Sequence, residues 1–205
     1  DLFNIVAYDS EIETFRPELE KFKDESRAAA LAFVDGLFAG GSTNIDGALK
    51  RALGMLADSK RPTYMLFLTD GLPTAGETGE SAIVKNSQEA NDVRARIFAF
   101  GVGYDVNSRL LDKLARENHG LSQYVRPNED IEASVSALYR KIGAPVMTDI
   151  KVDVDVLALN GLSPPVNRLY PKGEFDLFSG DQVVLVGRYR TGGDAKVKLT
   201  GKIGD

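Results

Sequence analysis

The sequence contains no cysteine and one histidine, His119. The first absence excludes disulfides and thiolate metal sites. The second leaves imidazole-seeking metals little to hold. No run approaches the ~20 apolar residues that span a bilayer, and no basic segment leads into an apolar signal-like core. The chain opens on DLFNIVAYDS without an initiator methionine and is in a strand pattern by Phe3, as expected of a piece of a longer protein. A basic surplus is also lacking. The formal net charge is −5, and residues 146–205 hold eight basic and eight acidic side chains, so residues 1–145 carry the whole imbalance, 17 against 22. An acidic N-terminal part argues against a nucleic-acid backbone as partner. It suits a cation, and it equally suits a solvated acidic surface that keeps the protein soluble.

What is present is the balance of a globular protein: 205 residues, 43% hydrophobic and 27% charged, enough for one domain and an appendage. Phe3–Tyr8 reads as a buried strand and residues 12–15 as an antiparallel return. Residues 26–38 and 45–56 have helical spacing, the second behind the caps Ser42, Thr43 and Asn44. Residues 63–69 and 95–102 read as strands and 80–93 as a helix between them. Residues 108–117 form an amphipathic helix closed by Asn118-His119-Gly120, followed by a short strand at 122–125 and a helix at 131–142. This alternation predicts an α/β fold, a doubly wound, mostly parallel sheet with helices on both faces. At Gly143-Ala144-Pro145 the pattern changes. Residues 148–157 alternate as a strand, a proline-containing loop follows, and 182–190 and 195–203 are again strand-like. The expected organisation is therefore 1–145 as the α/β domain and 146–205 as a β-rich segment.

The stretch MLFLTDGLPT, residues 65–74, runs apolar and then stops on Asp70. In open α/β sheets ligands bind at such carboxyl ends. Thr43, in GGSTNIDGAL, lies in a glycine-rich turn that can reach the same edge. A carboxylate and a hydroxyl are hard oxygen donors suited to Mg²⁺ or Ca²⁺. The competing possibility is local: Thr43 as a helix N-cap and Asp70 as a turn residue accepting from nearby N–H groups.

Rival chemistries lack their residues. A dehalogenase-like phosphatase needs an aspartate where Leu68 stands. Gly40-Gly41-Ser42-Thr43 has no P-loop lysine, and Gly101-Val102-Gly103 has no third glycine at the dinucleotide spacing. A hydrolytic triad would have to use His119, which sits at a helix end, and there is no G-x-S-x-G elbow. The sequence displays no catalytic set.

The order FNIVAYDS, GGSTNIDGAL, MLFLTDGLPT, IFAFGVG and a helix ending in HG resembles the von Willebrand factor type A domain, over residues 1 to about 143. The string NRLYPKGEFDLFSGDQVVLVGRYRTGGDAKVKLTGKIGD is similar to the segment after that domain in inter-alpha-trypsin inhibitor heavy chains and bacterial relatives. The resemblance implies a non-enzymatic module that binds a protein or matrix ligand through a metal-ion-dependent adhesion site. Thr43 and Asp70 match two of its three parts, and the ligand's acidic side chain completes the shell of Mg²⁺ (or Mn²⁺ or Ca²⁺). Asn44 and Asp46 are expected only as loop support and first-turn charge. The third part, D-x-S-x-S on the first strand, has no counterpart here, and Asp9-Ser10-Glu11 does not replace it. Cation binding by this piece is therefore expected to be weak. The resemblance further implies an extracellular or cell-envelope setting and contact with an upstream domain of the same protein. The alternative is an interaction scaffold whose cation site is vestigial. A sheet lacking its central strand also needs something in that place: FNIVAY moved against YMLFLT, a strand of the tail or of a second copy, or a bound upstream fragment.

Overall fold

The computed structural model describes residues 1–57, 62–142, 145–156, 166–178 and 182–203. They divide into two compact units, residues 1–129 and 130–205.

In the first unit the apolar opening is two strands rather than one. Leu2–Phe3 (β1) runs antiparallel to Glu20–Lys21 (β4), and Val6–Tyr8 (β2) to Ile12–Thr14 (β3). Asn4 makes the break. Its carbonyl oxygen accepts from the N–H groups of Ile5 and Arg16 at 2.8 and 3.1 Å. Its amide donates to the carbonyls of Arg16 and Glu18 at 2.8 and 2.9 Å. A side chain that satisfies backbone groups this way substitutes for a ladder. Helix α1, Asp24–Asp35, stops at Gly36, short of the expected Phe38, and α2, Ile45–Leu53, stops at Gly54, short of Leu56. In both cases the residue with poor helical propensity sets the end before the apolar spacing runs out.

Tyr64–Thr69 (β5), Arg96–Val102 (β6) and Ser122–Val125 (β7) form a parallel sheet in the order β5-β6-β7. On one face Phe67, Ile97 and Ala99 pack with Leu49 and Leu53 of α2, Ile83 of α3 (Glu80–Ala90) and Leu110, Leu111 and Leu114 of α4 (Ser108–Glu117). On the other face Phe98 and Phe100 are fully buried, while Leu66 and Leu68 remain 39% and 44% exposed. Helix α4 closes through Asn118, and His119 follows in the left-handed region at φ 57°, which is the helix-end role expected for that histidine. Strand β2 does not pair with β5; among the described residues the link is made by Tyr8. Its ring stacks on Phe67 with centroids 5.8 Å apart, and its hydroxyl donates to the Leu68 carbonyl at 2.9 Å.

In the second unit, α5 (Ile131–Ile142) starts where Asp130 accepts from the Ala133 N–H at 2.9 Å. Pro145–Val156 (β8) runs between Phe175–Phe178 (β10) and Ala195–Lys202 (β12), antiparallel to both. Val166–Tyr170 (β9) pairs with Val186–Tyr189 (β11). The stretch expected to be only a proline-containing loop thus holds two strands, each too short for its alternation to register in sequence. The expected strand at 182–190 contracts to β11. Mixed α/β architecture holds throughout, with the parallel ladder confined to β5-β6-β7 and the other ladders antiparallel. Among the described residues no helix is long and apolar enough to cross a membrane.

Candidate functional site

Strand β5 delivers Asp70 to the carboxyl edge of the parallel sheet, and α2 presents its N-terminus to the preceding loop, which carries Thr43. The loops meet. A Cβ placed on Gly71 would stand 3.7 Å from Thr43 Oγ1. The Thr43 N–H donates to Thr74 Oγ1 at 2.8 Å, and the N–H groups of Thr74 and Ala75 donate to the Thr43 carbonyl at 3.0 and 3.2 Å. The β2–β3 turn joins from a third side: the Ser42 N–H donates to Ser10 Oγ and the Asn44 N–H to the Asp9 carbonyl, both at 2.9 Å. Asp9 and Ser10 therefore brace the Thr43 loop. A Cβ on Gly41, at φ 71°, would lie 2.8 Å from Ser10 Oγ and 3.0 Å from an Asp9 carboxylate oxygen. The left-handed backbone and this close approach both require glycine there.

The helix cap is Asn44, whose side chain accepts from the Gly47 N–H at 3.0 Å. Thr43 is not the cap. The backbone N–H and C=O of Thr43 are both engaged, and its hydroxyl bonds to no protein group among the described residues. Asp70 is exposed, and among the described residues its carboxylate accepts no hydrogen bond and makes no ion pair. The turn after β5 is instead spanned by Thr69, whose Oγ1 lies 3.4 Å from the Gly71 N–H that it accepts. Among the described residues, neither the Thr43 hydroxyl nor the Asp70 carboxylate is used by the local structure around it. Asp46, by contrast, is consumed: its carboxylate accepts from Lys50 Nζ at 2.7 Å and from Asn86 Nδ2 at 2.8 Å.

Asp70 is felt electrostatically. The phenol of Tyr8 is pushed up to about 12, chiefly by burial, with the Asp70 charge adding to the rise and a hydrogen bond with Thr69 opposing it. The free oxygens of Thr43 and Asp70 are hard donors that fit Mg²⁺, Mn²⁺ or Ca²⁺ chemically. They are two donors from the protein, and among the described residues no group of three His, Cys, Asp or Glu side chains gathers as a metal cluster. Sequence reasoning missed Thr74, because its role is set by a contact 31 residues away in sequence. The proline before it, fixing the turn after Asp70, was the only local sign.

A family model described as von Willebrand factor type A domain matches residues 1–124. The chain belongs to the von Willebrand factor type A domain family. Inter-alpha-trypsin inhibitor heavy chain H4 of Bos taurus is 28% identical over 93% of this chain and 21% of its own length. The Homo sapiens H4 chain is 29% identical over 94% and 21%, and the human H2 chain 26% over 92% and 20%. This type A chain thus spans about a fifth of the length of the curated relatives it matches. Among solved structures, a von Willebrand factor type A protein from Catenulispora acidiphila superposes with a TM-score of 0.61 at 18% identity, over 100% of this chain and 50% of that one. The ArnB paralog VWA2 from Sulfolobus acidocaldarius gives 0.52 at 18%, over 98% and 50%. These two likenesses concern the type A fold.

Proposed function

We propose that this type A domain is a non-enzymatic binding module that engages a protein or matrix partner through a divalent cation at Thr43 and Asp70. What supports it is that the loop of Thr43 meets the turn after Asp70 and that, among the described residues, the Thr43 hydroxyl and the Asp70 carboxylate are spent on no cap, turn or ion pair. A charged group left without a local partner at a braced loop junction is available to an outside one. Mg²⁺ keeps several waters when a protein offers one carboxylate and one hydroxyl. Thr43 and Asp70 would hold the cation and leave positions that would take an acidic side chain from a partner, and the low number of protein donors would make the affinity weak. A partner of protein character fits the rim: Leu72 and Tyr104 are 51% and 80% exposed, just beyond the paired ends of β5 and β6. The acidic N-terminal region does not suit nucleic acid.

In the same proposal residues 1–145 form the type A body and 146–205 a β-rich segment that meets an upstream domain of the longer protein. The likeness to heavy chains supports an extracellular or cell-envelope setting. Calorimetric titration with Mg²⁺ and Mn²⁺ tests the cation claim. Asp70→Ala is expected to abolish the binding heat and Thr43→Ala to reduce it. Unchanged binding in Asp70→Ala would refute the site and favour the scaffold alternative, in which the edge is vestigial.

A further inference from the structure

We infer that Thr74 is a positioning residue, whose hydroxyl fixes Thr43 for the cation site; this rests on the function proposed above. Three hydrogen bonds join the two loops, and only one of them uses a side chain: Thr43 N–H to Thr74 Oγ1 at 2.8 Å. The other two, from the N–H groups of Thr74 and Ala75 to the Thr43 carbonyl, come from backbone that any residue supplies. Thr43 is therefore held through both its N–H and its C=O by the loop that follows Asp70. Its neighbours Ser42 and Asn44 are held by Ser10 and Asp9. The side chain of Thr43 is what remains free to point at a ligand.

The loop is shaped for this contact. Pro73 fixes the backbone just before Thr74. Gly76, at φ 65°, approaches Asn44 so closely that a Cβ there would lie 2.5 Å from Asn44 Oδ1. A cation bridging Thr43 and Asp70 needs the two loops in one register, and Thr74 is the side chain that couples them. A site assembled from weak oxygen donors depends on such preorganisation, since ordering the loops on binding would be subtracted from the affinity.

Two variants separate the hydroxyl from the bulk of the side chain: Thr74→Val removes it and Thr74→Ser keeps it. Two readouts are taken on the full 205-residue chain. Amide hydrogen exchange at Thr43, measured without cation, reports the clamp. Mn²⁺ affinity, from solvent proton relaxation, reports the site. In Thr74→Val, Thr43 exchange is expected to rise and Mn²⁺ affinity to fall, each roughly fivefold, the worth of one exposed hydrogen bond. Exchange in the core of α2 stays as it was, and Thr74→Ser restores both. Faster exchange with unaltered Mn²⁺ affinity would overturn the positioning role, as would no change in either. An unmodified chain that takes up no Mn²⁺ at millimolar concentration would refute the cation site itself and this role with it. That failure is distinct, because it appears before any variant is made.

Discussion

Tyr8 shows how one side chain joins sequence to site. It ends β2, stacks on Phe67 of β5 and donates to the Leu68 carbonyl, which sets its hydroxyl beside Thr69 and Asp70. Burial raises its pKa from 10.0 to about 12. The folded protein thus holds the phenol neutral more firmly than the unfolded chain does. The associated stability is fully present below pH 10 and is lost as pH climbs from 10 toward about 12. Denaturation across this alkaline range should show a fall of about 2–3 kcal/mol attributable to this group. Tyr8→Phe is expected to flatten that fall while losing about 1 kcal/mol below it, from the missing hydrogen bond. An alkaline profile identical to the parent's would show that Tyr8 is not the group responsible. At this scale the sequence displayed Thr43 and Asp70, because a carboxylate ending an apolar run and a threonine before a helix are visible locally. It left Asp9, Ser10 and Thr74 without such roles, because bracing is a property of loops that meet only in three dimensions.

The elements were legible wherever hydrophobic period and punctuation agree. Helix α4 and strand β7 fall on their expected residues, with Asn107 accepting from the Leu110 N–H at 3.0 Å to start the helix. Boundaries moved where a glycine outranked the apolar spacing, as at Gly36 and Gly54. The Phe3–Tyr8 strand split because the side chain of Asn4 competes for backbone partners, which no pattern of apolar residues announces. The junction of α4 with the sheet carries the most demanding contact. Gly120 passes so close to β6 that a Cβ there would overlap the Ile97 carbonyl. The obstacle is backbone inside a strand of the core, which cannot rotate aside. Gly120→Ala is expected to destabilise by about 3 kcal/mol or more, at the severe end of overpacking substitutions. A lower urea midpoint at unchanged slope would show it. A change within about 0.5 kcal/mol, typical of surface sites, would mean that the α4–β7 connection relaxes freely.

Across the whole molecule, the acidic surplus and the proposed cation site belong to the same part of the chain. Residues 1–145 hold 22 acidic against 17 basic side chains, and the carboxylate edge of the β5-β6-β7 sheet lies among them. A diffuse negative surface attracts cations weakly everywhere, whereas the proposed site draws one to a single edge. The second unit supplies an internal comparison, because its β8 carries Asp149, Asp153 and Asp155. Lys202 pairs with Asp149 at 2.6 Å, and cross-strand register sets Lys198 opposite Asp153 and Lys196 opposite Asp155. Its carboxylates are matched by lysines, while Asp70 has no counter-charge bonded to it among the described residues. The most direct measurement is therefore paramagnetic broadening of amide resonances during titration with Mn²⁺. Amides of Thr43, Asn44, Gly71 and Leu72 should broaden first and together, and Asp70→Ala should remove the effect. Broadening that begins along β8, or spreads evenly over the acidic surface while residues 43 and 71 stay sharp, would contradict a cation site at this edge.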